Sequence, residues 1–178
     1  TFITNGDVAD LYLVFGKWAG VENQREAISC MVIEKGTPGL SVARLEDKLG
    51  HRASSTATLN FDECCVPKHN LICGPGEGLP MLLASLNHSR PSIGAHALGI
   101  AHAAFEDSVA YINGRRQSGK RIIEFQGIQF LLADLASELA LCDAWLLHVA
   151  RLVDQGVKDI GVEASILKMR ASDLAMRM

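Results

Sequence analysis

Between Asp10 and Phe61 the apolar residues come in short runs of period two. Leu11, Leu13 and Phe15 alternate with Tyr12 and Val14. Ile28, Cys30 and Val32 alternate with Ser29, Met31 and Ile33, and Ala57, Leu59 and Phe61 with Thr56, Thr58 and Asn60. Successive side chains on a strand point to opposite faces, so these runs predict strands. The stretch 16–26 is a polar connection. Gly36-Thr37-Pro38-Gly39 suits a tight turn, because Pro presets φ and Gly accepts positive φ. An antiparallel sheet is the economical arrangement. Pro67 closes the segment, since it has no N–H for a ladder and holds Val66 extended.

After Gly74-Pro75-Gly76-Glu77-Gly78 the period changes to that of helices. A first helix is predicted over 80–113, dense in Ala and Gly, with Ile93, Ile100, Ala104 and Ile112 near one face. Pro80 fits its first turn, whereas Pro91 removes an interior hydrogen bond and predicts a bend. A second helix over 124–154 carries Ile128, Leu131, Leu135, Leu139, Cys142, Leu146, Val149 and Val153 at three- and four-residue steps. Gln155-Gly156 ends it. A third runs over 163–178 and reaches the last residue without a cap. The expected fold is multidomain: an antiparallel β-barrel-like or sandwich domain over 1–73, then an up-down helical bundle over 74–178.

Composition narrows the function classes. The 178 residues are 48% apolar with a net charge of -3, enough to bury roughly 70% of the unfolded surface in one large core or two small ones. No run of five or six like charges occurs, so nucleic acid is not an expected partner. No apolar stretch approaches ~18 residues and the start lacks signal-peptide character, so no stable membrane insertion is expected. Five cysteines without CxxC spacing read as reduced thiols of a reducing compartment.

Most single candidates for chemistry are weak. The six histidines show no ligand spacing, so no metal site is expected. Ser89 and Ser92 lack the strand-elbow setting of a nucleophile. Glycines 74, 76 and 78 fit a helix-entry turn better than a phosphate loop, because no Lys-Ser/Thr follows. Two clusters stand out. Asn87-His88-Ser89-Arg90-Pro91 sets polar groups three apart on an apolar helix. Asn113 to Arg121 places four cations between two apolar helices. A solvated connector is the plainer reading of the second; a clamp for phosphate or pyrophosphate is the alternative.

The order of motifs changes that balance. Phe2-Ile3-Thr4-Asn5-Gly6, Ala9-Asp10, the run from Val32 to Gly39, the run from Asp47 to Ser54, and Phe61-Asp62-Glu63-Cys64-Cys65-Val66-Pro67 together resemble the middle domain of the acyl-CoA dehydrogenase family. The resemblance continues through Gly74 to Gly78, Asn87 to Arg90, Ala97-Leu98-Gly99-Ile100-Ala101, Arg115 to Lys120, and Phe125 to Phe130. It implies a FAD flavoprotein of fatty acid metabolism that removes two hydrogens from the α and β carbons of an acyl-CoA thioester. A Glu takes the α-proton and flavin N5 accepts the β-hydride.

Residue by residue, the resemblance implies cofactor roles for Phe2, Ile3 and Thr4, with the aromatic against the isoalloxazine and the hydroxyl near N5. Arg115 and Gln117 correspond to residues at the FAD pyrophosphate of a neighbouring subunit. Ser118 departs from the family Phe there. Ile122, Phe125 and Ile128 correspond to positions lining the adenine end. Arg90 matches the Arg of an Asp-x-x-Arg motif at the substrate's thioester and pantetheine end, with Asn87 in place of Asp. The base is expected beyond Met178, since the position it takes in a minority of members is Ser89 here.

The same resemblance implies an acyl-CoA substrate, a homodimer or homotetramer and an electron-transfer flavoprotein as acceptor. The expected location is cytoplasmic in a bacterium and the mitochondrial matrix in a eukaryote. Residues 1–178 are expected to be an interior piece of the enzyme, binding FAD poorly and inactive alone. Two other readings stay open: a flavin oxidase on the same scaffold, and a non-catalytic relative.

Overall fold

The computed structural model describes all residues from Thr1 to Met178, in two compact units, Thr1–Leu82 and Leu83–Met178. The first unit holds two three-stranded antiparallel sheets. In one, β2 (Leu11–Lys17) and β6 (Leu71–Cys73) flank β3 (Ile28–Glu34); in the other, β1 (Ile3–Thr4) and β4 (Leu40–Leu45) flank β5 (Thr56–Phe61). The sheets share no ladder and form no closed barrel; antiparallel sheets followed by a helical part are the fold class expected.

The three period-two runs are β2, β3 and β5. Tyr12 and Ile33 are partners across β2–β3, and both are buried. The Tyr12 hydroxyl donates to the Gly6 carbonyl at 2.9 Å, which lets a phenol sit in an apolar core. Alternation then turns Leu11 and Leu13 outward, where they are exposed. Three strands of this unit escaped the periodicity reading, among them the three-residue β6. β4 carries Ser41 and Arg44 with no buried face, and β1 has only two residues.

The turn after Gly74 enters α1 (Gly78–Gly114), with the Glu77 N–H bonded to the Gly74 carbonyl. Gly78 is required there, because an added Cβ would meet the Ile28 carbonyl oxygen at 2.5 Å. α1 runs through Pro91 as one helix, although Pro91 offers no N–H to the Asn87 carbonyl. A hairpin of β7 (Arg116–Gln117) and β8 (Lys120–Arg121) follows, then α2 (Gln126–Asp154) and α3 (Gly161–Ala175).

The helices share one core: Leu98 and Ala101 from α1, Leu139, Cys142 and Val149 from α2, Leu167, Ala171 and Leu174 from α3. Leu98, Leu167 and Leu174 are each almost fully buried, contributing about 2 kcal/mol apiece. The expected α2 face is the observed one at its centre. The α1 face is not: Ile93 and Ile100 are half exposed, and Gly94, Leu98, Ala101 and Phe105 turn inward instead. The reason is close approach. A Cβ on Gly94 would lie 2.7 Å from Leu167 Cγ, so the glycine admits α3 where a larger residue would hold it off. Polar links join the same helices. His102 Nε2 lies 2.9 Å from Asp143 Oδ2, and Trp145 Nε1 donates to the Glu163 carbonyl. No helix is long and apolar enough to cross a membrane.

Candidate functional site

In the first unit, residues from both sheets line a cleft of about 390 Å³ that includes Ile3, Thr4, Leu11, Leu13, Phe15 and Phe61. The outward side chains of β2 thus form an apolar wall. β1 supplies the edge, held by pairing Ile3 with Ala57 and Thr4 with Thr56. Phe2, just before β1, has φ 57° and is 69% exposed. The Thr4 side chain is exposed and makes no hydrogen bond within the chain. An apolar wall with the unspent Thr4 hydroxyl at its edge suits a largely apolar ligand with a polar edge.

In the second unit, Arg90 is fixed from two sides. Its Nη1 donates to Asn87 Oδ1 at 2.9 Å, one turn earlier on α1, and to Ser165 Oγ on α3 at 3.2 Å. Ser165 in turn donates to the Gly161 carbonyl at 2.5 Å. The Asn87 amide therefore fills the acceptor role of a carboxylate, without its charge. Ser89, beside Arg90, donates to the Leu86 carbonyl at 3.1 Å. Ser165 was not legible as a member of this group, because the sequence gives no register between α1 and α3.

The cationic stretch forms an ordered hairpin rather than a loop. Ser118 and Gly119 at its tip have φ of 51° and 83°, as a two-residue turn of type I′ requires. Three of the four cations are engaged locally. Arg116 Nη2 donates to the Gly119 carbonyl, Lys120 Nζ sits 4.1 Å from the Phe125 ring centroid, and Arg121 Nε donates to Glu124 Oε1 at 2.7 Å. That last bond holds the Glu124 carboxyl below its ordinary value. The guanidinium of Arg115 has no partner in the chain, and neither has the exposed Gln117 side chain. Ile122, Phe125 and Ile128 follow, all half-buried. Phe125 carries Lys120, and Ile128 lines an apolar recess with Phe105, Ile112 and Leu131.

The predicted residues therefore fall in three places. Phe2, Ile3 and Thr4 lie in the first unit. Asn87 with Arg90, and Arg115 with Gln117, lie in the second, about 37 Å apart along α1 at about 1.5 Å per residue. No group of three or more His, Cys, Asp or Glu is gathered to hold a metal ion.

Comparison with known proteins decides what these places belong to. The family description "Acyl-CoA dehydrogenase, middle domain" matches residues 1–64, and "Acyl-CoA dehydrogenase, C-terminal domain" matches residues 76–178. The chain belongs to the acyl-CoA dehydrogenase family. An acyl-CoA dehydrogenase of Bacillus subtilis is 43% identical over 99% of this chain and 46% of its own length. A short-chain-specific acyl-CoA dehydrogenase of Clostridium acetobutylicum is 38% identical over 98% of this chain and 46% of its own. Among solved structures, butyryl-CoA dehydrogenase from Megasphaera elsdenii superposes with a TM-score of 0.90 at 38% identity, over 99% of this chain and 45% of that one. The chain thus spans about half the length of the acyl-CoA dehydrogenases it matches. The middle-domain match takes in β1 to β5 and their cleft. The C-terminal match takes in all three helices and the hairpin.

Proposed function

We propose that the protein to which this chain belongs is a FAD-dependent acyl-CoA dehydrogenase that desaturates the α,β bond of an acyl-CoA thioester. Family membership is the ground for this reading. The structural observation that carries it is the cleft of about 390 Å³ lined by Ile3 and Thr4 of β1 and by Leu11, Leu13 and Phe15 of β2.

FAD, when bound, supplies the acceptor for the hydride leaving the β carbon. The rest falls to the chain's own residues. Phe2 offers a ring face, Ile3 an apolar contact and Thr4 a hydroxyl donor toward a polar ring edge. Arg115 offers an uncommitted guanidinium for a pyrophosphate, with Gln117 beside it; charge-assisted hydrogen bonds of this kind are the strong ones. Ile122, Phe125 and Ile128 supply apolar surface for the adenine end, while Ser118 at the turn tip supplies no ring. The separation of Arg115 from Arg90 supports giving them different ligands. Arg90, oriented by Asn87 and Ser165, faces the thioester and pantetheine end of the substrate. Arg115 serves the FAD of a neighbouring subunit in a homodimer or homotetramer.

Proton removal from the α carbon falls to a Glu outside residues 1–178. Ser89 cannot take that part, since a neutral hydroxyl at neutral pH is a poor base and this one already donates to Leu86. The electrons pass to an electron-transfer flavoprotein. To test this, the intact protein is purified, its cofactor extracted, and a saturated acyl-CoA supplied with an electron acceptor. FAD and a 2-enoyl-CoA product are expected; a flavin-free protein yielding no enoyl-CoA would reject the reading. Slow reoxidation of the substrate-reduced protein by oxygen is expected of a dehydrogenase, and fast reoxidation marks an oxidase on the same fold.

A further inference from the structure

Cys30 and Cys73 are direct partners across β3 and β6. Opposed residues of an antiparallel pair project to one face with Cα atoms about 4.5–5.5 Å apart, inside the span of about 4.4–6.8 Å that a disulfide bridges. The register supports the match. A bulge sets Met31 opposite Leu71, so Ile72 is the extra residue and Cys73 falls back into line with Cys30. The two thiols differ in access. Cys30 is wholly buried, and burial first, then the neighbouring Cys73, pushes its thiol above the ordinary range. Cys73 is half-buried, and its thiol points to Met81 Sδ at 3.8 Å on the first turn of α1. All five cysteines are free.

We propose that Cys30 and Cys73 are a redox modification site, closing a reversible disulfide that staples β6 to β3. The oxidant is a low-molecular-weight disulfide. The more accessible Cys73, as thiolate, attacks one of its sulfurs, forming a mixed disulfide and expelling a small thiolate. Cys30 then loses its proton to solvent and attacks Cys73 Sγ, expelling the second small thiolate. Two protein thiols are oxidised to one disulfide, and one small disulfide is reduced to two thiols. The staple fixes the entry of α1, whose Gly78 already sits on the Ile28–Ser29 backbone. The inference is independent of the flavin reading.

The test treats the intact protein with oxidised glutathione, alkylates remaining thiols under denaturing conditions, and maps the peptides by mass. A linked pair containing Cys30 and Cys73, lighter by two hydrogens and released by dithiothreitol, is expected. It should be lost in a Cys73→Ser variant whose circular dichroism is unchanged. A glutathione adduct persisting on Cys73, a link between another pair, or both thiols left unreacted would overturn the proposal.

Discussion

Arg115 differs from the three cations that follow it because nothing in the chain occupies its guanidinium, whereas Arg116, Lys120 and Arg121 are held by a carbonyl, a ring and a carboxylate. An exposed, unpaired side chain contributes little to folding, so Arg115→Ala should leave stability within about 0.5 kcal/mol. The same change should weaken FAD binding by roughly 10- to 100-fold, the equivalent of about 1.5–3 kcal/mol for a hydrogen bond to a charged group. Flavin-fluorescence titration beside a urea melt measures both quantities. A large stability loss with unchanged FAD affinity would mean that Arg115 is structural. At this scale the sequence names candidate residues and is silent on which are already engaged within the chain. That Asn87 bonds Arg90 follows from their spacing on one helix. That Ser165 completes the arrangement depends on packing between helices remote in sequence.

Two effects oppose each other at the α1–α3 crossing. Gly94→Ala would ordinarily gain about 1 kcal/mol of helix propensity. Here the new methyl must displace Leu167, which is buried, and overpacking costs about 1–3 kcal/mol. The second effect wins, and we expect a net loss of about 1 kcal/mol, read from the shift of a denaturation midpoint. A stabilised variant would show that the helices separate freely. In the hairpin, Arg121 lowers the pKa of the exposed Glu124 carboxyl. A lowered folded-state value means that the stabilisation is present above the unfolded value and is lost as pH falls through the folded one. NMR titration of Glu124 should therefore give a midpoint below that of an ordinary glutamate, about 4.3. An ordinary midpoint that does not move in Arg121→Ala would contradict the bond.

These elements were unequally legible. β2, β3 and β5 announced themselves by alternation, although β3 buries the adjacent Ser29 and Cys30 and β5 the adjacent Thr56 and Ala57. β4 did not, because its exposed Ser41 and Arg44 leave no alternation to read. The hairpin was hidden for the same reason, since polar residues on both arms carry no period. On α1 the most apolar residues, Ile93 and Ile100, pointed to the wrong face; small residues, which allow close approach, mark the right one.

For the molecule as a whole, the family covers both units, and the period switch near Gly74 foretold a β-rich part followed by a helical part. Barrel-like and sandwich arrangements could not be told apart in the sequence, because ladder partners between sheets leave no mark on hydrophobic alternation. The cleft lies beyond sequence reading for a related reason: alternation separates the faces of β2 without saying which meets a ligand. The central claim is that this cleft and hairpin belong to a flavin enzyme acting on acyl-CoA. The most direct measurement is the visible spectrum of the purified intact protein under anaerobic titration with a saturated acyl-CoA. The account predicts a bound-flavin spectrum whose main band bleaches as substrate is added. A protein reconstituted with FAD whose band is unchanged by acyl-CoA thioesters over a range of chain lengths, or one that takes up no FAD at all, would contradict it.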